Sequence, residues 1–216
     1  MLYKIEDLSL KQRVADTVKD AILSGSIKPG EKIPEERISE ALGISRTPLR
    51  EAMNLLVNYG LVNVVPRRGA FVSHISPEEI LDILMVRMAL EPLGAEMAAR
   101  KRVRHDRFIG DLKELHSAFR NKKLGDGSDS DIAFHQFIAE ASESPTLLSV
   151  LLPLFYRSVL AMSYSSLVPG NRQESLSDHD KLIRALAAKD AEGARLAMTE
   201  HLMQVMSNVK KGYKEA

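Results

Sequence analysis

The sequence contains no cysteine and no tryptophan, and aromatic residues occupy only 5% of its 216 positions. Without thiols there can be no disulfide framework and no thiolate metal site, so any metal must be held by histidine and carboxylate. No apolar run reaches the roughly 18 residues that a bilayer-spanning helix requires. The first ten residues include Glu6 and Asp7 and lack the apolar stretch of a secretory signal. A cytoplasmic protein with no membrane partner is the expectation. There is also no excess charge of one sign, since 30 Lys and Arg stand against 29 Asp and Glu. What is present is ordinary globular material, 44% hydrophobic and 27% charged. At this length it suits two small domains better than one helical domain.

The charge is unevenly placed. Residues 1–75 carry 11 basic side chains against 9 acidic ones, and the remainder 19 against 20. Between Ile44 and Ile75, Arg46, Arg50, Arg67 and Arg68 face a single acid, Glu51. That local excess is a candidate phosphate-binding patch.

Hydrophobic spacing divides the chain into helices and one hairpin. Val14, Val18, Ala21 and Ile22 predict a helix over Leu8–Leu23, stopped by the Gly- and Pro-bearing stretch 24–30. A short helix over Glu35–Leu42 follows Pro34, and Gly43 breaks it. Ser45 then serves as N-cap and Pro48 sits in the first turn of a helix over Arg46–Tyr59, ended by Gly60. Two β-rich runs, Leu61–Val65 and Ala70–Ser73, flank a hairpin tip at 66–69. Beyond Ser76 and Pro77 the pattern is helical throughout: Glu78–Arg102, Asp106–Lys122, Asp129–Ser142, Pro145–Ser165, Arg172–Lys189 and Ala191–Lys211. Linkers fall at 125–128 and 168–171. The expectation is a mostly α protein in two domains. Residues 1–75 form a winged helix-turn-helix with a small β-hairpin wing, and 76–216 an all-α antiparallel helical bundle.

The stretch Ile38–Met53 carries the sharpest signal. A helix-turn-helix needs small residues at the turn, here Ala41 and Gly43. It needs apolar residues to hold the helix crossing, here Ile38, Leu42, Ile44, Leu49 and Met53. The second helix must offer a polar N-terminal face to the major groove. Ser45, Arg46, Thr47 and Arg50 supply it, with Arg46 and Arg50 one turn apart on the same side. Arginine bridges two acceptors of guanine or clamps a phosphate, and Ser45 and Thr47 suit phosphate oxygens. Arg67 and Arg68 at the hairpin tip reach the neighbouring groove or backbone.

On the motifs "ILSGSIKPGEKI", "SEALGISRTPLREAMNLLVNYGLV" and "PRRGAFVS", residues 8–75 resemble the DNA-binding domain of the GntR family of regulators. The resemblance implies that Arg46 and Arg50 contact operator DNA and that the wing, with Gly69, follows the minor groove. One departure stands out: some relatives carry a DNA-contacting arginine where this chain has Glu36. A glutamate instead caps its helix or pairs with Arg37.

The second half has few histidines, so their places matter. Asp131 and His135 lie one helical turn apart, while Phe134 and Ile138 face a core; His179 and His201 lie on two further helices. Three imidazoles and a carboxylate on three antiparallel helices can converge on a divalent metal such as Zn, Ni, Mn or Fe. His74, His105 and His116 are read as ordinary side chains. The motifs "VRMALEPLGAEMAAR", "DIAFHQFIAEASESPTLLSVL" and "DHDKLIRALAAKDAEGARLAMTEHL" make residues 78–210 resemble the FCD ligand-binding domain of the FadR-type branch of the same family. The resemblance implies that Asp131, His135, His179 and His201 hold the metal and that a small organic acid binds beside it. Arg87 is then the leading carboxylate clamp, unless it pairs with Glu91 one turn on; Arg157 and Arg184 are secondary, and Ser142, Ser163 and Asn171 are pocket candidates.

The resemblance therefore implies a homodimeric, effector-responsive repressor that binds a near-palindromic double-stranded operator and is not an enzyme. Two alternatives stay open: the same regulator with a purely structural metal and no effector, and a metal-dependent enzyme in which the centre activates water.

Overall fold

In a computed structural model, which describes residues 10–101, 105–121, 128–164 and 172–215, the chain divides into two compact units, Met1–His74 and Ile75–Ala216. The fold is mostly α, with a winged helix-turn-helix followed by a helical bundle, as the hydrophobic spacing implied. The linkers expected at 125–128 and 168–171 lie outside the described residues, apart from Ser128.

The first unit comprises α1 (Leu10–Leu23), α2 (Glu35–Leu42), α3 (Arg46–Asn58), β1 (Val62–Val65) and β2 (Gly69–Val72). Helix α1 buries Val14, Val18 and Ile22, which recur every four residues, and packs against α3. From α3 the buried face is Leu49, Ala52, Met53 and Leu56, and the hairpin adds Val62, Ala70 and Val72 to the same core. The strands pair antiparallel with Val62 opposite Val72 and Val65 opposite Gly69. The sequence pattern did not reveal that residues 30–33 also pair with β2. Gly30 N–H donates to Val72 O, Val72 N–H to Glu31 O and Ile33 N–H to Ala70 O, at 2.9 Å each. Too short and polar to read as a strand, this stretch nevertheless covers the outer edge of the wing.

Helix α2 ends where Gly43 turns left-handed at φ 62°, a conformation that glycine adopts without a Cβ penalty. Leu42 was expected to hold the helix crossing; it is exposed instead, because α2 spans only two turns and has no fully buried residue. Leu49 and Met53 of α3 do lie in the core. Ser45 takes the N-cap position of α3 with extended geometry but makes no side-chain capping bond, leaving its hydroxyl exposed.

In the second unit stand α4 (Pro77–Arg100), α5 (His105–Asn121), α6 (Ser128–Ala141), α7 (Pro145–Tyr164), α8 (Arg172–Ala187) and α9 (Ala191–Glu215). Helix α4 is central and packs against α9, α7, α6 and α8. Gly94 permits one close approach, since a Cβ there would stand 3.1 Å from Leu147 Cδ2 on α7. Ala95, Ala98 and Ala99 join Leu112, Phe134, Ile138, Leu182, Leu186, Met198 and Leu202 in the main core. In α7 the 18-residue window Pro145–Met162 has mean hydropathy 1.5, long and apolar enough to cross a membrane by length and composition. Ser149, Pro153 and Arg157 interrupt this window, so it is not an unbroken apolar run in the sequence. In this fold Leu147, Leu151, Phe155 and Val159 of α7 form a buried stripe at four-residue spacing, and the helix packs on α4 and α6.

The start of α4 is fixed by a capping box. Ser76 Oγ accepts from Glu79 N–H at 3.2 Å, and Ser76 N–H donates to Glu79 Oε2 at 3.4 Å, with Pro77 opening the helix. Ser76→Ala should lower unfolding stability by about 1 kcal/mol, read as a reduced urea midpoint at unchanged slope. An unchanged midpoint would show that the cap does not hold this terminus.

Candidate nucleic-acid interface and metal centre

The start of α3 and the wing present four arginines of the first unit to solvent. Ser45, Arg46, Thr47, Arg50, Arg67 and Arg68 are all exposed, and Gly69 is partly so. At the hairpin tip Arg68 N–H donates to Val65 O at 3.0 Å, closing a four-residue turn in which Pro66 fixes the first corner and Arg67 the second. Arg67 takes φ 63°, a left-handed conformation disfavoured for a residue with a Cβ, and Gly69 follows at φ 105°. The Arg68 guanidinium lies 5.8 Å from the Phe71 ring centroid. Glu36 does not pair with Arg37. Its carboxylate accepts from Arg46 Nη2 at 2.8 Å, linking the first turns of α2 and α3.

The second unit gathers Asp131, His135, His179 and His201, with one ligand atom from each within 4.8 Å of all the others. One turn of α6 sets Asp131 and His135 on a common face, while α8 and α9 bring the other two imidazoles inward. His201 Nε2 stands 3.2 Å from His135 Nε2. Asp131 lies 3.5 Å from His179 Nε2 and 3.9 Å from His135 Nε2. Ligands held about 2 Å from a common ion are spaced about 3–4 Å apart, so the set fits a divalent metal. Both ring nitrogens of His179 and Nδ1 of His201 are buried and have no hydrogen-bond partner among the described residues, a costly state that a bound cation would relieve at the coordinating nitrogens. Nitrogen and oxygen donors suit Zn, Ni, Mn or Fe alike.

The electrostatics favour that use. Burial disfavours protonation of His179, and the neighbouring His201, His135 and His116 add to it, so its pKa falls well below the ordinary histidine value. His201 is lowered in the same way by burial and by His135, against the opposing pull of Glu91. Neutral imidazoles keep the lone pairs that a metal requires. The His179 ring stacks on Phe134 at 4.1 Å, so the aromatic residue assigned to the core also forms one wall of the centre.

Behind His135 lies a chain of buried charge. His135 Nδ1 stands 2.6 Å from Glu91 Oε2, and Glu91 Oε1 accepts from Arg87 Nε at 2.5 Å. With its proton on Nδ1 and donated to Glu91, His135 turns the Nε2 lone pair toward the other ligands. Burial alone would raise the Glu91 pKa; Arg87 and His135 reverse that and hold the carboxyl well below the usual carboxylate range. Arg87 is 2% exposed, and its guanidinium carbon sits 5.2 Å from the Phe155 ring centroid. Sequence spacing offered the Arg87–Glu91 pair as the alternative to a carboxylate clamp, and the pair is present. The contact of Glu91 with His135 was missed, because it joins residues 44 positions apart. His116 was read as ordinary, yet it is buried, edge-on to His179 at 5.8 Å between centroids, with Nδ1 3.5 Å from Asp180. Among the lesser candidates, Arg157 pairs with Glu79, Arg184 is exposed, and Ser142 donates to Ala139 O at 2.6 Å. Asn171 and the side chain of Ser163 lie outside the described residues.

Breaking a buried ion pair at one end leaves an uncompensated charge. Glu91→Ala and Arg87→Ala should therefore each cost about 3–5 kcal/mol in urea unfolding. The double variant should cost far less than their sum. Additive losses would show that the two charges do not depend on each other.

Comparison with known proteins bears on both units. Residues 10–72 match the model of "Bacterial regulatory proteins, gntR family", and residues 82–204 that of the FCD domain. The "Uxu operon transcriptional regulator" of Escherichia coli K12 is 33% identical over 90% of this chain and 84% of its own length. The "HTH-type transcriptional regulator McbR" of the same organism is 27% identical over 93% of each chain. The solved structure of E. coli McbR/YncC superposes with a TM-score of 0.79 at 26% identity, covering 96% of this chain and all of the other.

Proposed function

This chain belongs to the GntR family of bacterial regulatory proteins, as an FCD-bearing, DNA-binding transcription regulator and not an enzyme, and from that premise we propose that it is a metal-dependent, carboxylate-responsive repressor. The observation that carries this reading is the convergence of Asp131, His135, His179 and His201, with His135 oriented by Glu91. A divalent ion held by Asp131, His135, His179 and His201 would supply a positive charge that attracts an oxygen ligand. Arg87 donates its Nε–H to Glu91. A guanidinium carries further N–H donors that a small organic acid can use.

The repressor acts as a homodimer in the cytoplasm. Twofold symmetry presents two α3 helices to the half-sites of a near-palindromic operator. Arg46 and Arg50 read base edges, Ser45 and Thr47 hold phosphates, and Arg67, Arg68 and Gly69 follow the neighbouring minor groove. The effector releases DNA because it prefers a dimer whose DNA-binding units are spaced wrongly for the operator. Without such a preference it could shift nothing.

Two measurements test this. Arg50→Ala should weaken operator binding by about tenfold or more while leaving the dimer intact in light scattering. Unchanged operator affinity would remove α3 as the reading helix. Thermal unfolding against a panel of small organic acids, before and after metal stripping, tests the other half. One acid should raise the midpoint in the metal-loaded protein and lose that effect after stripping or in His135→Ala. If stripping destabilises the protein while no acid shifts its midpoint, the metal is structural and the effector reading fails.

A further inference from the structure

Helix α3 begins with Arg46, where the positive end of the helix dipole disfavours a cation. Arg46 is also 72% exposed, so nothing in the core requires it. Glu36 is equally out of place for a face that approaches polyanionic DNA. It is 77% exposed, and the N-terminus of α2 takes no side-chain capping bond from its cap residue. Yet the two side chains meet at 2.8 Å across the turn between the helices. They line one hollow of about 550 Å³ together with Lys32, Glu35, Arg50 and Gly69. A carboxylate in that hollow repels phosphates, unless a cation balances it or a base amino group donates to it.

We propose that Glu36 determines operator specificity: it holds Arg46 by Nη2 so that the remaining guanidinium donors meet a guanine edge, and its second oxygen accepts from the amino group of an adjacent cytosine or adenine. This rests on the DNA-binding reading above. An exposed ion pair contributes little to stability; its effect here is on geometry. A free arginine swings between base edge and phosphate, and a phosphate contact is blind to sequence. Tethered by Glu36, Arg46 has fewer alternatives, and the carboxylate charge penalises any pose that places it against phosphate.

The test is selection of bound duplexes from a random-sequence library by the full-length wild-type chain, Glu36→Ala, Arg46→Ala and the double variant. The enriched sites are then titrated across a salt series. Both side chains are exposed, so thermal midpoints should match wild type, and a role confined to the α2 terminus would move the midpoint rather than base preference. Wild type should enrich a motif containing a fixed guanine. Glu36→Ala should lose about tenfold discrimination at that base pair or its neighbour. Its salt dependence should steepen by about one counterion, as the released arginine turns to phosphate. In the Arg46→Ala background, Glu36→Ala should change nothing further at the guanine. If wild type enriches a motif and Glu36→Ala returns the same motif with the same discrimination and salt slope, the Glu36 assignment is overturned and the DNA-binding reading stands. Failure of the wild-type chain to enrich any sequence would remove both.

Discussion

The second unit is organised around a buried chain of charge, Arg87 to Glu91 to His135. Each of these groups is costly to bury alone, and each is tolerable because the next one answers it. Arg87 and Glu91 lie one turn apart on α4, so a single helix supplies a neutral pair, and the second oxygen of Glu91 is left to receive an imidazole from α6. That contact sets α4 against α6 and fixes which nitrogen of His135 faces the other ligands. Pairing with Glu91 does not exhaust a guanidinium, so it is compatible with the carboxylate-binding role proposed for Arg87.

The histidine cluster itself is a deliberate imbalance. Burial and mutual repulsion disfavour the protonated forms of His179 and His201, and three of their ring nitrogens find no hydrogen-bond partner among the described residues. Replacing them by aliphatic residues would be the simpler way to fill a helical core. Their retention beside a partly exposed Asp131 is what a site for a cation requires, because lone pairs already stripped of water and protons bind metal with little reorganisation. Phe134 and Phe155 contribute here as much as in the core: one stacks on His179 and the other lies beneath Arg87. The apolar walls keep the local dielectric low and so strengthen every charge interaction inside them.

Periodicity and punctuation made the helices legible, because Gly43, Gly60, Ser76 and Pro77 signal their ends by backbone chemistry alone. The spacing of Asp131 and His135 could be read in the same way, since one helical turn is a local fact. What stayed hidden was non-local. Pairing of residues 30–33 with β2 depends on the path of the chain rather than on strand propensity. Glu91 could be placed near Arg87 but not near His135, and Glu36 near Arg37 but not opposite Arg46. Leu42 was assigned to the crossing on hydrophobicity, yet α2 is too short to bury it. His116 gave no sign of burial, because its partners Phe134, His179 and Asp180 come from α6 and α8 rather than from its own helix.

The two units differ in where they hold their unfavourable groups. In the bundle these are inward and buried, with the charges of Arg87, Glu91 and His135 answering one another. In the first unit they are outward and concentrated on the face proposed for DNA. Arg46 stands at the wrong end of a helix dipole, and Arg67 occupies a left-handed corner that glycine would fill at lower cost. Glu36 brings an acid to a basic surface. Neither arginine placement improves the isolated fold, whereas Glu36, in the first turn of α2, sits where a helix dipole favours an acid. Their common location is the informative fact. Local strain and misplaced charge persist where a second molecule supplies the compensation. On the face proposed for DNA a polyanion would do so, since it would reward the arginines directly and turn the Glu36 carboxylate from a mere repulsion into a restraint on how Arg46 meets a base.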